Sequence, residues 1–195
     1  MDTRTKWNSK HKEQLEKKKG PTANRRLEGL SLYLNGGRAL DIACGLGGNS
    51  FFLAKKNYQV QAVDISDIAI AYIQDQTVKR KLSIDPQKCD LADLNKLQWP
   101  SDSFNLVVIT YYLDRELFST VKRIIAENGY FFMETYFQSP QNDQKISNQY
   151  KLRPQELLSE FEDWKILFYE ENEQEGRQTI FCQKRLECLS EIKNG

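Results

Sequence analysis

The sequence predicts an α/β fold: a mostly parallel seven-stranded sheet with helices on both faces and a C-terminal antiparallel hairpin. Three observations predict it. From Ala39 onward, short apolar runs alternate with helical stretches, the pattern of βαβ units whose crossovers keep strands parallel. A glycine-rich junction, Gly45-Leu46-Gly47-Gly48, joins the first such run to a helix. Finally, Trp164–Glu170 and Gln178–Lys184 both read as strands, separated by a short polar turn containing Gly176. So tight a connection joins only antiparallel neighbours, which predicts one reversed strand at the sheet edge.

Each element follows in order. Met1 to Lys19 reads as a basic helical arm stopped by Gly20-Pro21, and Arg25–Leu34 as a short helix ended by Asn35-Gly36-Gly37. Ala39–Ala43 is a buried strand and Gly48–Lys56 a helix. Gln59–Asp64 is the second strand. Ser66 then caps a helix running to about Lys81, with Asp67 at its positive end and Ile70 and Ile73 on its buried face. Ile84–Cys89 contains Pro86, which lacks a backbone donor and so belongs at a sheet edge. Phe104–Thr110 is the clearest central strand. A helix from Arg115 to Ala126 closes at Asn128-Gly129, and Tyr130–Tyr136 is the fifth strand. Phe137–Tyr150 reads as a lid-like loop, and Arg153-Pro154 opens a helix. The expected layout is a single domain over 1–195: an arm over 1–36, a core over 37–185 and a tail over 186–195.

Composition narrows the function classes. With 28 basic and 27 acidic residues the net charge is +1, which gives no global attraction to nucleic acid or anionic membrane. The charge is unevenly placed: residues 1–26 hold nine Lys or Arg against three acids, whereas residues 155–175 are rich in Glu. No aromatic stacking pattern accompanies the basic arm, so a solvated flap is favoured over a phosphate-binding one. Cys44, Cys89, Cys182 and Cys188 form no CxxC pair, and His11 is the only histidine. No metal site is expected. Without a signal-peptide core or long apolar stretch, the chain is expected to be cytoplasmic with free thiols.

The glycine junction suits a nucleotide-like ligand, because glycines let backbone come close and the following helix offers unpaired N–H groups. An NTPase loop requires Gly-Lys-Ser/Thr, and Gly48-Asn49-Ser50 lacks the lysine. A dinucleotide fingerprint fits better, with Asp64 about twenty residues onward, but Ser50 stands where Gly or Ala is required. Asp41 separates the remaining options. A carboxylate just before the loop repels a pyrophosphate and suits a ligand carrying an ammonium group.

Asp41-x-Ala43-x-Gly45-x-Gly47 resembles the acidic-x-Gly-x-Gly-x-Gly motif of class I S-adenosylmethionine-dependent methyltransferases. Ala43 replaces the first glycine, a small-residue exchange expected to cost little. The resemblance implies a Rossmann-like sheet whose family order places the last hairpin at one edge. It also implies that Asp64 binds the ribose hydroxyls, that Asp90 after Cys89 meets the adenine amino group, and that Thr110 lines the cofactor. Asp93 is a nearby competitor for Asp90. The full cofactor set expected is Asp41, Ala43, Cys44, Gly45, Gly47, Asn49, Asp64, Ile65, Asp90, Leu91 and Thr110, with Cys44 packed and given no chemical role. Tyr111 through Phe118, Asn128-Gly129-Tyr130, Met133 through Tyr136 and Leu152 through Leu158 further resemble the small bacterial tellurite-resistance-type methyltransferases.

Methyl transfer is an in-line displacement that needs collinear groups more than a catalytic triad, and no Ser/His/Asp set is present. The acceptor pocket is expected beyond the carboxyl ends of the fourth and fifth strands, at Tyr111, Tyr112, Arg115, Glu134 and Tyr136. Tyr112 has a competing core reading, and Arg115 one as a partner of Asp114 or Glu116. Trp7 and His11 share one helix face and are candidates to cap the site, although a histidine in a lysine-rich helix is more often solvated. The expected activity is methyl transfer from S-adenosylmethionine, leaving S-adenosylhomocysteine, to a small molecule by a monomer or homodimer. Two alternatives stand beside it: a non-catalytic cofactor-binding protein, and a nucleic-acid methyltransferase using the basic arm. The Asn/Asp-Pro-Pro-Tyr sequence of many amino-methylating enzymes is absent, so nucleic acid is not the expected partner.

Overall fold

The structure, a computed structural model, describes residues 2–17, 20–92, 98–141 and 145–185. Asp93, Cys188 and the tail over 186–195 lie outside these residues. In chain order the elements are α1 (Thr3–Glu16), α2 (Arg25–Gly29), β1 (Gly37–Ile42), α3 (Gly48–Lys55), β2 (Tyr58–Asp64), α4 (Asp67–Arg80) and β3 (Ile84–Lys88). There follow β4 (Phe104–Thr110), α5 (Leu117–Ile124), β5 (Ile125–Tyr136), α6 (Glu156–Glu160), β6 (Lys165–Asn172) and β7 (Arg177–Gln183). The seven strands form one sheet in the order β3-β2-β1-β4-β5-β7-β6. Strands β1 to β5 pair in parallel, and β7 pairs antiparallel with both β5 and β6.

Strand alternation divides the core into two layers. Leu40, Ile42, Val107, Ile109, Phe131, Met133, Ile180 and Cys182 point to one face and meet Leu117, Phe118, Val121 and Ile124 of α5 and Leu157 of α6. Phe161, directly after α6, is fully buried there among the rings of Phe118, Phe131 and Trp164. Ala39, Val60, Ala62, Leu106, Val108, Phe132 and Phe181 point to the other face, against Leu27, Phe51, Leu53 and Ile73 of the helices there. Helices thus cover both faces, as expected. No helix among the described residues is long and apolar enough to cross a membrane.

Pro86 does sit on an edge strand, β3. Ser66 does cap α4, its hydroxyl accepting from the Ala69 N–H at 3.2 Å. Three expectations need correction. The reversed strand β7 is not at the edge but lies between β5 and β6. The difference lies in burial: Gln178–Cys182 of β7 is buried throughout, while β6 is half-exposed along its length and takes the rim. The buried face of α4 is Ala69, Ile73 and Thr77, an i, i+4, i+8 row, with Ile70 only half-buried beside it. The helix expected over Arg115–Ala126 is shorter, Leu117–Ile124, because fully buried Ile125 turns extended and pairs with Phe104. A bulge then passes through Asn128 at φ 60° before the ladder resumes at Tyr130 opposite Leu106.

Candidate functional site

The same alternation that builds the core also places polar residues in a row. Asp41, Asp64, Thr110, Glu134 and Thr179 stand at strand positions whose neighbours Leu40 and Ile42, Val63, Ile109, Met133 and Ile180 point into the α5 layer. The five therefore face the α2–α4 side. Thr110, Glu134 and Thr179 are direct partners across β4, β5 and β7. Buried polar groups in such a row must be satisfied, and their partners come from the loops and helices above.

Around the glycine loop, the Ser50 hydroxyl of α3 donates to Asp41 Oδ2 at 2.5 Å, while Asp41 Oδ1 is buried without a hydrogen-bond partner among the described residues. Burial, with Asp64 adding repulsion against a donated Ser50 bond, pushes the Asp41 carboxyl up to about 7. Asp64 ties two loops together: Gly45 N–H donates to its Oδ2 and Ser66 N–H to its Oδ1, each at 2.9 Å. Each oxygen keeps a further lone pair. Gly45 and Gly47 have φ of 53° and 82°, the left-handed region that glycine enters without strain. Ala43 shares that region at φ 54°, so the exchange from glycine is not free: it places a Cβ where L-residues are disfavoured. Asn49 donates to Thr110 Oγ1 at 3.1 Å. A cleft of about 460 Å³ is lined by Ile65 and Asp90 together with Asp2, Thr3, Arg4 and Lys88. Leu91 is buried. Burial pushes the Cys44 thiol well up, in keeping with a packed rather than reactive side chain.

The arm lies over this region through polar contacts. Arg4 donates to Asp67 at 2.5 Å, and Asn8 accepts from the Ser66 hydroxyl at 2.7 Å. His11, a candidate to cap the site against a solvated alternative, is 5% exposed, with its Nε2 3.5 Å from where a Gly45 Cβ would stand and its Nδ1 lacking a partner among the described residues. Burial lowers its pKa against the pull of Asp64. Trp7 stacks on His11 with ring centroids 5.7 Å apart and is covered by the Lys10 ammonium.

A second cluster gathers on Glu134, which is 1% exposed. Its Oε1 accepts from the Tyr111 hydroxyl and Asn24 Nδ2, both at 2.7 Å, and from Arg177 Nη1 at 3.2 Å. Its Oε2 accepts from Thr179 at 3.0 Å and Arg26 Nη1 at 3.1 Å. Burial alone would raise this carboxyl, but the bonds from Tyr111 and Asn24, the charge of Arg26 and the bond from Thr179 hold it below the usual range. Arg177 also donates to the Tyr111 hydroxyl and lies over the Tyr111 and Tyr136 rings, 4.6 and 5.6 Å from their centroids. Its Nε is buried without a partner among the described residues. Tyr111 adopts φ 57°, a strained setting for a bulky residue. That turn swings its ring onto the cluster, and burial with the Glu134 charge raises its phenol strongly.

The structure therefore brings Tyr111, Glu134 and Tyr136 together and leaves two expected pocket residues outside the cluster. Tyr112 packs against the α5-side core, where burial and the charges of Asp114 and Asp90 push its phenol up to about 12. Arg115 pairs with neither Asp114 nor Glu116. It donates to both Glu156 oxygens, at 2.5 and 2.9 Å, and to the Lys151 carbonyl. The expected lid is pinned at its start: Phe137 is buried and donates its N–H to the Gly176 carbonyl, while residues 142–144 lie outside the description. Asn24, Arg26, Arg177 and Thr179 were not expected. Only the alternation of β5 against β7 pointed to the last two, and it requires knowing the hairpin register.

Comparison with known proteins agrees with this architecture. The family described as tellurite resistance protein TehB matches residues 10–187. A probable S-adenosyl-L-methionine-dependent methyltransferase TehB of Haemophilus influenzae is 25% identical over 139 residues, covering 69% of this chain and 48% of that protein. Hemagglutinin 1 of Eikenella corrodens is 26% identical over 140 residues, 69% of this chain and 46% of that one. The chain thus spans about half the length of these curated relatives. The crystal structure of TehB from Haemophilus influenzae superposes with a TM-score of 0.73 at 21% identity, over 84% of this chain and 63% of that one. With nearly its whole length matched by one family, the chain belongs to the TehB tellurite resistance protein family.

Proposed function

We propose that this chain transfers a methyl group from S-adenosylmethionine to a small acceptor molecule. The observation that carries the reading is the pair Asp41 and Asp64, buried around the glycine loop, with one Asp41 oxygen unsatisfied. An acid that is costly to ionise alone suits a ligand bearing an ammonium and a sulfonium. Asp64 has lone pairs left for vicinal hydroxyls, and Ile65 and Asp90 line a cleft assigned to the base, with Leu91 buried next in sequence. The residues fit the cofactor. Asp41, Ala43, Cys44, Gly45, Gly47, Asn49 and Thr110 are assigned to its amino-acid end.

When bound, the cofactor supplies a methyl carbon already activated by positive sulfur. The protein's share is placement and exclusion of water. The acceptor's nucleophilic atom forms the new bond to that carbon, the C–S bond breaks, and its electron pair stays on sulfur in S-adenosylhomocysteine. Tyr111, Tyr136 and Arg177 are assigned to holding the acceptor, the unpartnered Arg177 Nε–H being free for an oxygen or anionic group on it. The cluster is a poor source of a base: Glu134 is held below the usual carboxylate range by Tyr111, Asn24, Arg26 and Thr179, and the Tyr111 phenol is raised. The acceptor therefore reacts through a lone pair present at neutral pH, or gives its proton to water.

The test is methyl transfer from labelled cofactor to small thiols, selenium and tellurium oxyanions, and total RNA. Turnover on a small-molecule pool is expected. Cofactor binding without turnover on any pool would favour a non-catalytic role, and turnover on RNA alone would overturn the small-acceptor assignment.

A further inference from the structure

Thr22, Ala23 and Asn24, between the arm and α2, lie across the first turn of α3. A Cβ at Gly48 would stand 2.2 Å from the Thr22 carbonyl oxygen and 3.3 Å from the Ala23 nitrogen. Gly48 has no left-handed φ. Its missing side chain therefore serves the strap above it rather than its own backbone conformation. From the strap, Asn24 reaches three ways. Its backbone N–H donates to Asn49 Oδ1 at 2.9 Å. Its side-chain oxygen caps α2, accepting from Arg26 and Leu27 N–H groups at 2.9 and 3.2 Å. Its Nδ2 donates to Glu134 at 2.7 Å and to the Tyr111 hydroxyl at 3.3 Å.

We infer that Asn24 is a positioning residue for methyl transfer, its amide fixing the Tyr111–Glu134 pair of the acceptor side to Asn49 and Thr110 on the cofactor side. This rests on the cofactor reading above. An in-line displacement tolerates little error in the distance between the two sides, and they stand on different elements. Asn24 joins them through one short segment. Gly48 lets that segment lie close enough to do so.

The test is calorimetric titration of S-adenosylhomocysteine into the wild type, Asn24→Ser, Gly48→Ala, Tyr111→Phe and the Asn24→Ser/Tyr111→Phe double variant. Serine still caps α2, and alanine favours α3, so the single variants should fold; circular dichroism checks this. Losing the Asn24 amide frees the strap, which must then be re-ordered on binding. Asn24→Ser and Gly48→Ala should each weaken binding about three- to tenfold, a fraction of the worth of a hydrogen bond to a carboxylate. The double variant should be no weaker than the weaker of its two parents, since both break the same tie. An Asn24→Asp variant keeps the cap but faces a carboxylate to Glu134, amid Arg26, Tyr111 and Arg177. Its affinity relative to Asn24→Ser should fall as pH rises above the carboxylate range. Unchanged affinity in Asn24→Ser and Gly48→Ala, strictly additive losses in the double variant, or a pH-independent ratio would each overturn the inference. Failure of the wild type to bind would overturn the cofactor reading first, and this one with it.

Discussion

Asp64 bonds the glycine loop and the start of α4 at once, so it shapes the cleft as well as offering lone pairs to a ligand. A charge-assisted bond to a ribose hydroxyl contributes about 1.5–3 kcal/mol. Asp64→Ala should therefore weaken S-adenosylhomocysteine binding at least ten- to a hundredfold by calorimetry; unchanged affinity would remove the ribose role. Asp41 gives a pH signature. Its folded pKa, about 7, lies above the 3.8 of an exposed aspartate, so the ligand-free fold binds the extra proton. That contribution to stability is complete below about pH 4 and is lost as pH rises through about 7. A cationic ligand favours the ionised form, so cofactor affinity should climb between about pH 6 and 8, and Asp41→Asn should flatten both trends in denaturation and titration curves. Ala43, held at positive φ, predicts that Ala43→Gly raises stability by up to about 1 kcal/mol in urea unfolding. The positions of Asp41 and Asp64 were legible because each stands beside a recognisable strand end. The strain at Ala43 was not, since a one-residue departure from a glycine motif does not announce its φ.

Elements differ sharply in what holds them. Helix α1 buries only His11 and is fastened by Arg4, Asn8 and that imidazole. Polar contacts on a mostly exposed helix give little protection against local opening. Its amides should exchange with deuterium far sooner than those of α5, whose Leu117, Phe118, Val121 and Ile124 are all buried, and bound S-adenosylhomocysteine should slow them. Phe161 holds its layer through rings on three sides. Phe161→Ala should cost about 3–5 kcal/mol in urea unfolding while cofactor affinity per folded molecule stays the same. Sequence periodicity found nearly every element, because buried strands and glycine stops are local signals. It misplaced the ends of α5 and the position of β7 within the sheet. Both depend on which residues pair across the sheet, and pairing is not a local property.

At the scale of the molecule, the sheet and its layers were legible, and so was the placing of Asp41 and Asp64 around the glycine loop. The cluster on Glu134 was legible only in Tyr111, Glu134 and Tyr136. Its other members, Asn24, Arg26, Arg177 and Thr179, come from segments up to 155 positions apart in the numbering, and only the three-dimensional register brings them onto one carboxylate. Tyr112 and Arg115, neighbours of Tyr111 in the chain, are carried elsewhere by strand alternation and by Glu156. The place of β7 also bears on how the protein is made. A ribosome delivers β6 before β7, yet β7 must enter between β5 and β6. Until it does, β5 offers an open hydrogen-bonding edge, and Glu134 lacks both Arg177 and Thr179. A nascent or truncated chain ending before Arg177 thus has its glycine loop with Asp41 and Asp64, a Glu134 short of two donors, and an edge prone to association with other chains.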